Sequence, residues 1–250
     1  MRIGTAGWVI PRAWAERVAG EGSHLERYTR VMNCVEVNSS FHRAHRPATW
    51  VKWAESVPEG FRFAVKFPKA VTHQAKLAVP AEALDGFFVE VAGLGKKLGV
   101  VLVQLPPSLA FEDCPAAEFL EALRDRWQGA VALEPRHASW FGVDAEELMV
   151  RHRVARVAAD PARKGAGGLR PGGWKGLVYF RLHGSPRMYY SAYEAEFLAG
   201  VARAVQELPE GMEKWVIFDN TAMGEAFGNA VELMGMIGRG AKGRPKGSAM

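Results

Sequence analysis

An arginine and a histidine, Arg181 and His183, stand two positions apart at the end of an apolar stretch that covers residues 177–184 (LVYFRLHG). Strand side chains alternate between two faces, so a strand here directs both cations to the same side. Both faces of a parallel strand are normally covered, and an unpaired charge is costly there unless it lines a site. The sequence therefore predicts a functional site where this stretch ends.

The same arrangement recurs elsewhere in the chain. Glu36 and Asn38 are two positions apart at the end of an apolar stretch, and so are Glu134 and Arg136. Burying several charges close together costs free energy, so a functional site is favoured over a purely space-filling role. A structural ion network is the alternative, because the acids and fixed cations can neutralise one another. Single polar residues end four further stretches, namely Lys66, Gln104, Asp160 and Asp219.

Carboxylates and histidines at such a place are the usual groups for proton transfer, so we predict Glu36, Glu134, His183 and Asp219 as the catalytic acid/base groups. Lysine, arginine and neighbouring polar groups would hold a ligand. An anion is expected between Arg181, Gly184 and Asn220, where a glycine and a helix start expose backbone N–H groups. The predicted substrate-binding residues are Asn38, Lys66, His73, Gln104, Arg136, His137, Arg181, Gly184 and Asn220.

Eight strands are predicted, most of them followed by a segment with helical apolar spacing. The exception is residues 161–174, which contain five glycines and two prolines and predict a Gly-rich loop that replaces most of the sixth helix. Eight units in 250 residues favour a single TIM-like (β/α)8 barrel of the α/β class over an open doubly wound sheet. The predicted strands cover residues 2–7, 34–41, 61–67, 99–105, 130–134, 154–159, 177–184 and 214–218.

Composition narrows the class of protein further. Hydrophobic residues make up 48% and charged residues 24% of the chain, which is ordinary for a globular domain. No apolar run is long enough to cross a bilayer, and no signal peptide is visible, so no membrane partner is expected. Cys34 and Cys114 are far apart in sequence, which is typical of a reducing compartment. We therefore expect a cytoplasmic protein with one barrel domain over residues 1–238.

The net charge of +5 is concentrated at the C-terminus. Residues 239–250 contain four cations and no acid, and without those cations the net charge falls to +1. This segment predicts a basic flexible tail, and specific nucleic-acid binding is not expected. The four cations are Arg239, Lys242, Arg244 and Lys246.

Seven motifs in order along the chain resemble the YecE-like family, which is named for a domain of unknown function, number 72. They are GTAGW (4–8), VEVNSSFHR (35–43), FAVKFPKAVTH (63–73), LVQLPP (102–107), LEPRHASW (133–140), YFRLHG (179–184) and FDNTAMGEAFGNA (218–230). The resemblance implies a TIM-like barrel with no established reaction, and a fold-level relation to sugar isomerases. The chain departs from the usual family pattern at His42, Pro135 and Asp219.

Three functions are compatible with these residues. The favoured one is an enzyme or binding protein for a small anionic or sugar-like metabolite, in which the mouth of the barrel supplies acid/base chemistry; isomerase, lyase and hydrolase reactions all fit. The second is a metal-dependent sugar isomerase, although Arg136 and Arg181 would compete with the cation. The third is a nucleic-acid-binding or processing barrel. No cofactor and no metal ligand is assigned; a divalent metal is possible under the second hypothesis, with ligands Glu134, Asp160, His183 and Asp219.

Overall fold

The structure is a computed structural model that describes residues 1–80, 82–162 and 169–242, the last four of these by their backbone alone. The described part contains ten strands and eight α-helices. The strands are β1 (Arg2–Ala6), β2 (Cys34–Val37), β3 (Arg62–Lys66), β4 (Leu98–Gln104), β5 (Ala130–Glu134), β6 (Val154–Arg156), β7 (Ala158–Asp160), β8 (Gly172–Gly173), β9 (Leu177–Leu182) and β10 (Glu213–Phe218). The helices are α1 (His24–Tyr28), α2 (Ser39–His42), α3 (Pro47–Glu55), α4 (Glu82–Val91), α5 (Asp113–Arg126), α6 (Val143–Arg151), α7 (Ala195–Glu207) and α8 (Glu225–Lys242).

The strands form one sheet in the order β7-β9-β10-β1-β2-β3-β4-β5-β6-β8, and every pairing except β6 with β8 is parallel. Strands β6 and β7 are consecutive in the chain, separated only by Val157, whose N–H donates to the carbonyl oxygen of Leu133 at 2.9 Å. Because β6 pairs with β5 and β7 pairs with β9, this one segment almost closes the sheet on itself. The predicted (β/α)8 barrel is confirmed, and its sixth strand is divided in two.

Alternation along the strands separates two apolar layers. Outward side chains pack against the helices; in α7 the spacing of Leu198, Val201 and Val205 buries one face of the helix in this outer layer. Inward side chains form a smaller cluster inside the barrel, which includes Ala64, Leu102, Ala132, Tyr179 and Ile217. The parity of each strand therefore determines which residues can reach the interior.

Several element boundaries differ from the prediction. The second strand ends at Val37 instead of residue 41, because the N–H of Phe41 turns back to the carbonyl oxygen of Asn38 at 3.2 Å and begins α2. The strand predicted over 177–184 ends at Leu182. The last helix runs to Lys242, four residues into the segment 239–250 that was predicted as a flexible tail. Most of the predicted tail lies outside the described residues.

The Gly-rich loop predicted over 161–174 lies partly outside the described residues. Its described part holds β8, a two-residue strand that the sequence did not predict and that runs antiparallel to β6. Replacement of the sixth helix therefore stays a prediction. In the described part of the chain, no helix combines the length and the apolar composition that a bilayer crossing requires.

Candidate active site

One polar layer closes the barrel interior at the carboxyl ends of the strands. Each of its members lies two positions after an inward apolar residue, as Lys66 follows Ala64 and Arg181 follows Tyr179. Parity therefore places these side chains above the inner apolar cluster, on the side of a barrel where active sites are built. The layer consists of Glu36, Lys66, Gln104, Glu134, Arg181 and Asp219, all buried.

Arg181 is the centre of this layer, and its side chain is only 1% exposed. Its Nε donates to Oε1 and Oε2 of Glu36 at 3.1 and 3.0 Å, and its Nη2 donates to Oε1 of Glu36 at 2.7 Å. Its Nη1 reaches Oε2 of Glu134 at 2.9 Å, and Nη2 also lies 2.9 Å from Oδ2 of Asp219. Most of its N–H donors are thus directed at three carboxylates of the protein itself.

His183 connects two of those carboxylates. Its Nδ1 lies 3.0 Å from Oδ2 of Asp219, and its Nε2 lies 3.2 Å from Oε1 of Glu134 and 2.9 Å from Nη2 of Arg136. A guanidinium can only donate, so the contact with Arg136 requires a lone pair on Nε2. In that arrangement the proton of a neutral His183 is on Nδ1 and is donated to Asp219. This tautomer is assigned from the hydrogen-bond partners of the two ring nitrogens.

Arg136 connects the layer with the solvent. Its Nη2 contacts Oε1 of Glu134 as well as His183, while its Nε is buried and has no hydrogen-bond partner among the described residues. The same side chain lines an open cleft of about 600 Å³. The other lining residues are Pro107, His137, Ala138, Pro161, Ala162 and Met188. Arg136 therefore presents an unsatisfied cationic donor next to the cleft.

Lys66 differs from every other charged member of the layer. Lys66 is buried, with only 8% of the residue exposed. Within the described part of the chain, its ammonium group nevertheless forms neither a hydrogen bond nor an ion pair. The group lies over the ring of Phe41, with Nζ 3.9 Å from the ring centroid. Burial, and secondarily the positive charge of Arg181, lowers the pKa of Lys66 to about 8, against the opposing effect of the carboxylates.

Two carboxylates of the layer, those of Glu134 and Asp219, are held in their charged form. Burial by itself would raise the pKa of Glu134, but Arg181 and Arg136 outweigh burial and hold that pKa well below its ordinary value. The same competition lowers the pKa of Asp219, where Arg181 and the hydrogen bond from His183 oppose burial. Both groups are therefore acceptors near neutral pH.

Four further predicted site residues, one of them the layer member Gln104, differ in their partners. Nδ1 of His73 is 2.9 Å from the Thr72 hydroxyl, and His137 caps the short helical turn Ala138–Phe141 by accepting from the N–H of Ser139 at 3.3 Å. Asn38 follows β2 and has a buried side-chain oxygen without a partner among the described residues. Gln104 donates to Oε2 of Glu134 at 3.2 Å.

Gly184 and Asn220 belong to the loops that follow β9 and β10. Gly184 has a φ of +93° and donates its N–H to the hydroxyl of Tyr193 at 2.8 Å. Asn220 donates to the carbonyl oxygen of Ser191 at 3.0 Å and to Oδ1 of Asn229 at 2.9 Å. These bonds tie the two loops together. The sequence placed both residues at the mouth without indicating this bracing role.

Two aromatic residues of the site were missed by sequence reasoning. Tyr179 is buried and donates to Oε2 of Glu36 at 2.8 Å, and Tyr193 donates to Oδ2 of Asp160 at 2.8 Å. Tyr179 lies two positions before Arg181 on the same strand face, so the parity that identified Arg181 also identifies this tyrosine. The partner of Tyr193 lies 33 positions away, and the local sequence carries no signal for it.

Three of the four residues predicted as metal ligands, Glu134, Asp160 and Asp219, accept hydrogen bonds from other side chains of the protein. Glu134 accepts from Arg136 and Arg181, Asp219 accepts from Arg181 and His183, and Asp160 accepts from Tyr193. Across residues 1–80, 82–162 and 169–242, no group of three or more His, Cys, Asp or Glu side chains is arranged to hold a metal ion. In this geometry, the four side chains predicted to bind a metal do not surround a common point.

Comparison with known proteins places these features in a family. Residues 2–249 match the family model described as "Protein of unknown function DUF72". The UPF0759 protein YecE of Escherichia coli K12 is 32% identical over 146 residues, which are 58% of this chain and 52% of that protein. The UPF0759 protein YunF of Bacillus subtilis 168 is 27% identical over 145 residues, 56% of this chain and 51% of that protein. The matched segment thus spans about half the length of these curated relatives.

Two solved structures have the same fold as this protein over nearly the whole chain. A DUF72 family protein from Thermotoga maritima superposes with a TM-score of 0.78 at 27% identity, covering 95% of this chain and 98% of the other. A DUF72 family protein from Enterococcus faecalis gives a TM-score of 0.80 at 22% identity over 95% of both chains, which shows the shared fold. The polar layer thus stands in a barrel of known type, and the chain belongs to the DUF72 family.

Proposed function

We propose that this protein is an enzyme that acts on a small metabolite with an anionic group, and that it transfers protons at the polar layer of the barrel. The observation that carries the proposal is Lys66. In the described part of the chain it is the one charged member of the layer without a hydrogen bond or an ion pair, and its pKa of about 8 gives both protonation forms near neutral pH. A lysine that served only to balance charge would pair with a neighbouring carboxylate.

Arg136 is the residue we assign to the anionic group of the substrate. Its side chain lines the cleft, and its buried Nε has no partner among the described residues, so we propose that a carboxylate or phosphate in the cleft pairs with this guanidinium. From the sequence, Arg181 is predicted for the same role. Arg181 is directed at Glu36, Glu134 and Asp219 instead, so we assign it to positioning these carboxylates.

Proton transfer is assigned to the pair of His183 and Asp219. Asp219 orients the imidazole through Nδ1, and the other ring nitrogen lies between Glu134 and Arg136, of which Arg136 lines the cleft. A histidine oriented by a carboxylate is a common general acid/base in enzymes. The side-chain oxygen of Asn38, which has no partner among the described residues, can accept a hydrogen bond from a substrate hydroxyl group. This fits a sugar-like substrate.

A two-stage experiment tests the proposal. Thermal shift against a set of carboxylated and phosphorylated sugars, hydroxy acids and oxo acids identifies ligands, and proton NMR in D2O then detects exchange of a ligand C–H for deuterium. We expect binding to be lost in Arg136→Met and exchange to be lost in Lys66→Met and His183→Asn. Arg126→Met is the matched control, because Arg126 pairs with Asp85 on the outer helices α4 and α5.

The proposal is wrong if the set yields no ligand whose binding depends on Arg136. It is also wrong if every ligand binds equally to the wild type and to Arg136→Met.

A further inference from the structure

We infer that Lys66 is a covalent nucleophile, and that the substrate is an aldehyde or ketone with an anionic group, held as an imine on Nζ. The inference rests on the proposed function, since it uses the same polar layer and the same anion-binding arginine. It begins from the placement of Nζ over the Phe41 ring, at the end of β3, with three carboxylates of the layer bound to other partners. No described residue forms a hydrogen bond or an ion pair with this amine.

An amine can attack a carbonyl carbon only when it is neutral and its lone pair is free. Lysine reaches that state near neutral pH when it is desolvated or placed next to another cation. Both conditions hold for Lys66, which is buried and lies close enough to Arg181 for that charge to lower its pKa. Lys52, by contrast, is exposed to solvent.

The covalent step balances without any external reagent. The lone pair of neutral Nζ forms a C–N bond with the carbonyl carbon, while the π electrons of the C=O bond move to oxygen. One proton passes from nitrogen to that oxygen to give a carbinolamine. A second proton to the oxygen lets it leave as water, and the nitrogen lone pair forms the C=N bond of a protonated imine. No atom is oxidised or reduced.

The surrounding charges suit this product. A protonated imine carries the same single positive charge as the lysine ammonium, so Glu36, Glu134 and Asp219 face an unchanged charge when it forms. Its C=N bond withdraws electrons, which activates the neighbouring C–H or C–C bond of the substrate. The Asp219 and His183 pair supplies and removes the protons, and Arg136 selects for the anionic group.

Reductive trapping of the full chain tests the inference. The protein is incubated at pH 7.5 with glyceraldehyde 3-phosphate or pyruvate and sodium cyanoborohydride, which reduces an imine to a stable amine. Intact mass spectrometry counts the adducts, and peptide mapping locates them. We expect one predominant adduct on Lys66, formed at least about tenfold faster than on Lys52, because the lower pKa leaves a larger neutral fraction.

Two variants sharpen the result. Lys66→Arg keeps a cation but has no primary amine, so the predominant adduct should vanish while the protein stays folded by circular dichroism. Arg136→Met should slow trapping of the anionic probes but not of glycolaldehyde, which has no charge. Because the mapping is done on the wild-type protein, the test does not depend on any variant folding.

Two outcomes separate this inference from the proposed function. If glycerol 3-phosphate or lactate, which have no carbonyl group for imine formation, binds in an Arg136-dependent way but Lys66 is trapped no faster than Lys52, the imine is overturned and the anion site stands. If neither binding nor trapping depends on the layer, both proposals are overturned.

Discussion

At the scale of single residues, the two arginines of the candidate site have different surroundings. Arg181 is buried and donates to three carboxylates, whereas Arg136 lines the cleft and its Nε has no partner among the described residues. We expect Arg181→Met to lower the free energy of unfolding by about 3–5 kcal/mol, because the carboxylates stay buried without their cation. Urea denaturation followed by circular dichroism measures the loss.

Two further variants serve as controls. Arg181→Lys keeps the charge but cannot direct donors at three carboxylates, so it should recover only part of the lost stability. Arg136→Met should lose ligand binding with a smaller loss of stability than Arg181→Met. An Arg181→Met protein as stable as the wild type would contradict a structural role for this network.

Lys66 predicts a pH-dependent stability. Its pKa is about 8 in the folded protein against an ordinary value of 10.5, so the unfolded chain binds more protons between these two pH values. Stability therefore rises with pH in that window. The buried ammonium costs about 3 kcal/mol below pH 8, and this cost disappears as the pH approaches 10.5.

The comparison that isolates this effect is Lys66→Met against the wild type. The variant should be the more stable protein at pH 7, and its advantage should shrink as the pH rises towards 10.5, measured by urea denaturation at each pH. Lys52→Met replaces an exposed lysine and should show no such trend. Parallel curves for Lys66→Met and the wild type would argue against an unpaired buried ammonium.

At the scale of elements, the loop after β9 is shaped by one glycine. Gly184 has a φ of +93°, and a Cβ there would lie 2.8 Å from the carbonyl oxygen of Ser191 and 3.0 Å from Cβ of Asn220. We expect Gly184→Ala to lower the free energy of unfolding by about 1–3 kcal/mol and to weaken ligand binding, since the two loops at the mouth must move apart.

Gly200→Ala in α7 is the matched control for this prediction. A Cβ at Gly200 meets nothing within 4 Å, and alanine has the higher helix propensity, so a gain of about 0.5–1 kcal/mol is expected. Thermal denaturation of both variants decides the outcome. A neutral Gly184→Ala would mean that the loop tolerates a different backbone path.

At the scale of the whole molecule, the net charge of +5 owes four positive charges to the last twelve residues. We expect that replacing Arg239, Lys242, Arg244 and Lys246 by Gln removes most of any weak DNA or RNA binding, measured by fluorescence anisotropy at several salt concentrations. Gln keeps helix propensity, which matters because α8 runs to Lys242. Tight, sequence-dependent binding by this variant would support the nucleic-acid hypothesis instead.

Sequence by itself determined the barrel and the membership of its polar layer. Both follow from local patterns: the alternation of strands and helices, and a parity that places Lys66 and Arg181 two positions after inward apolar residues. Boundaries such as the early end of β2 and the division of the sixth strand were not predicted. The early end of β2 depends on the turn in which Phe41 donates to Asn38, and the division of the sixth strand depends on a hydrogen bond to another strand, from Val157 to Leu133.

Only the tertiary structure decided how the charges of the layer are shared. Arg181 and Glu36 are 145 positions apart, and no local pattern says that this arginine takes three carboxylates while Lys66 takes none among the described residues. Ion pairing depends on distances of a few ångströms between side chains on different strands. That allocation is the reason why we propose Arg136, and not Arg181, for the anionic group, and Lys66 for the reactive amine.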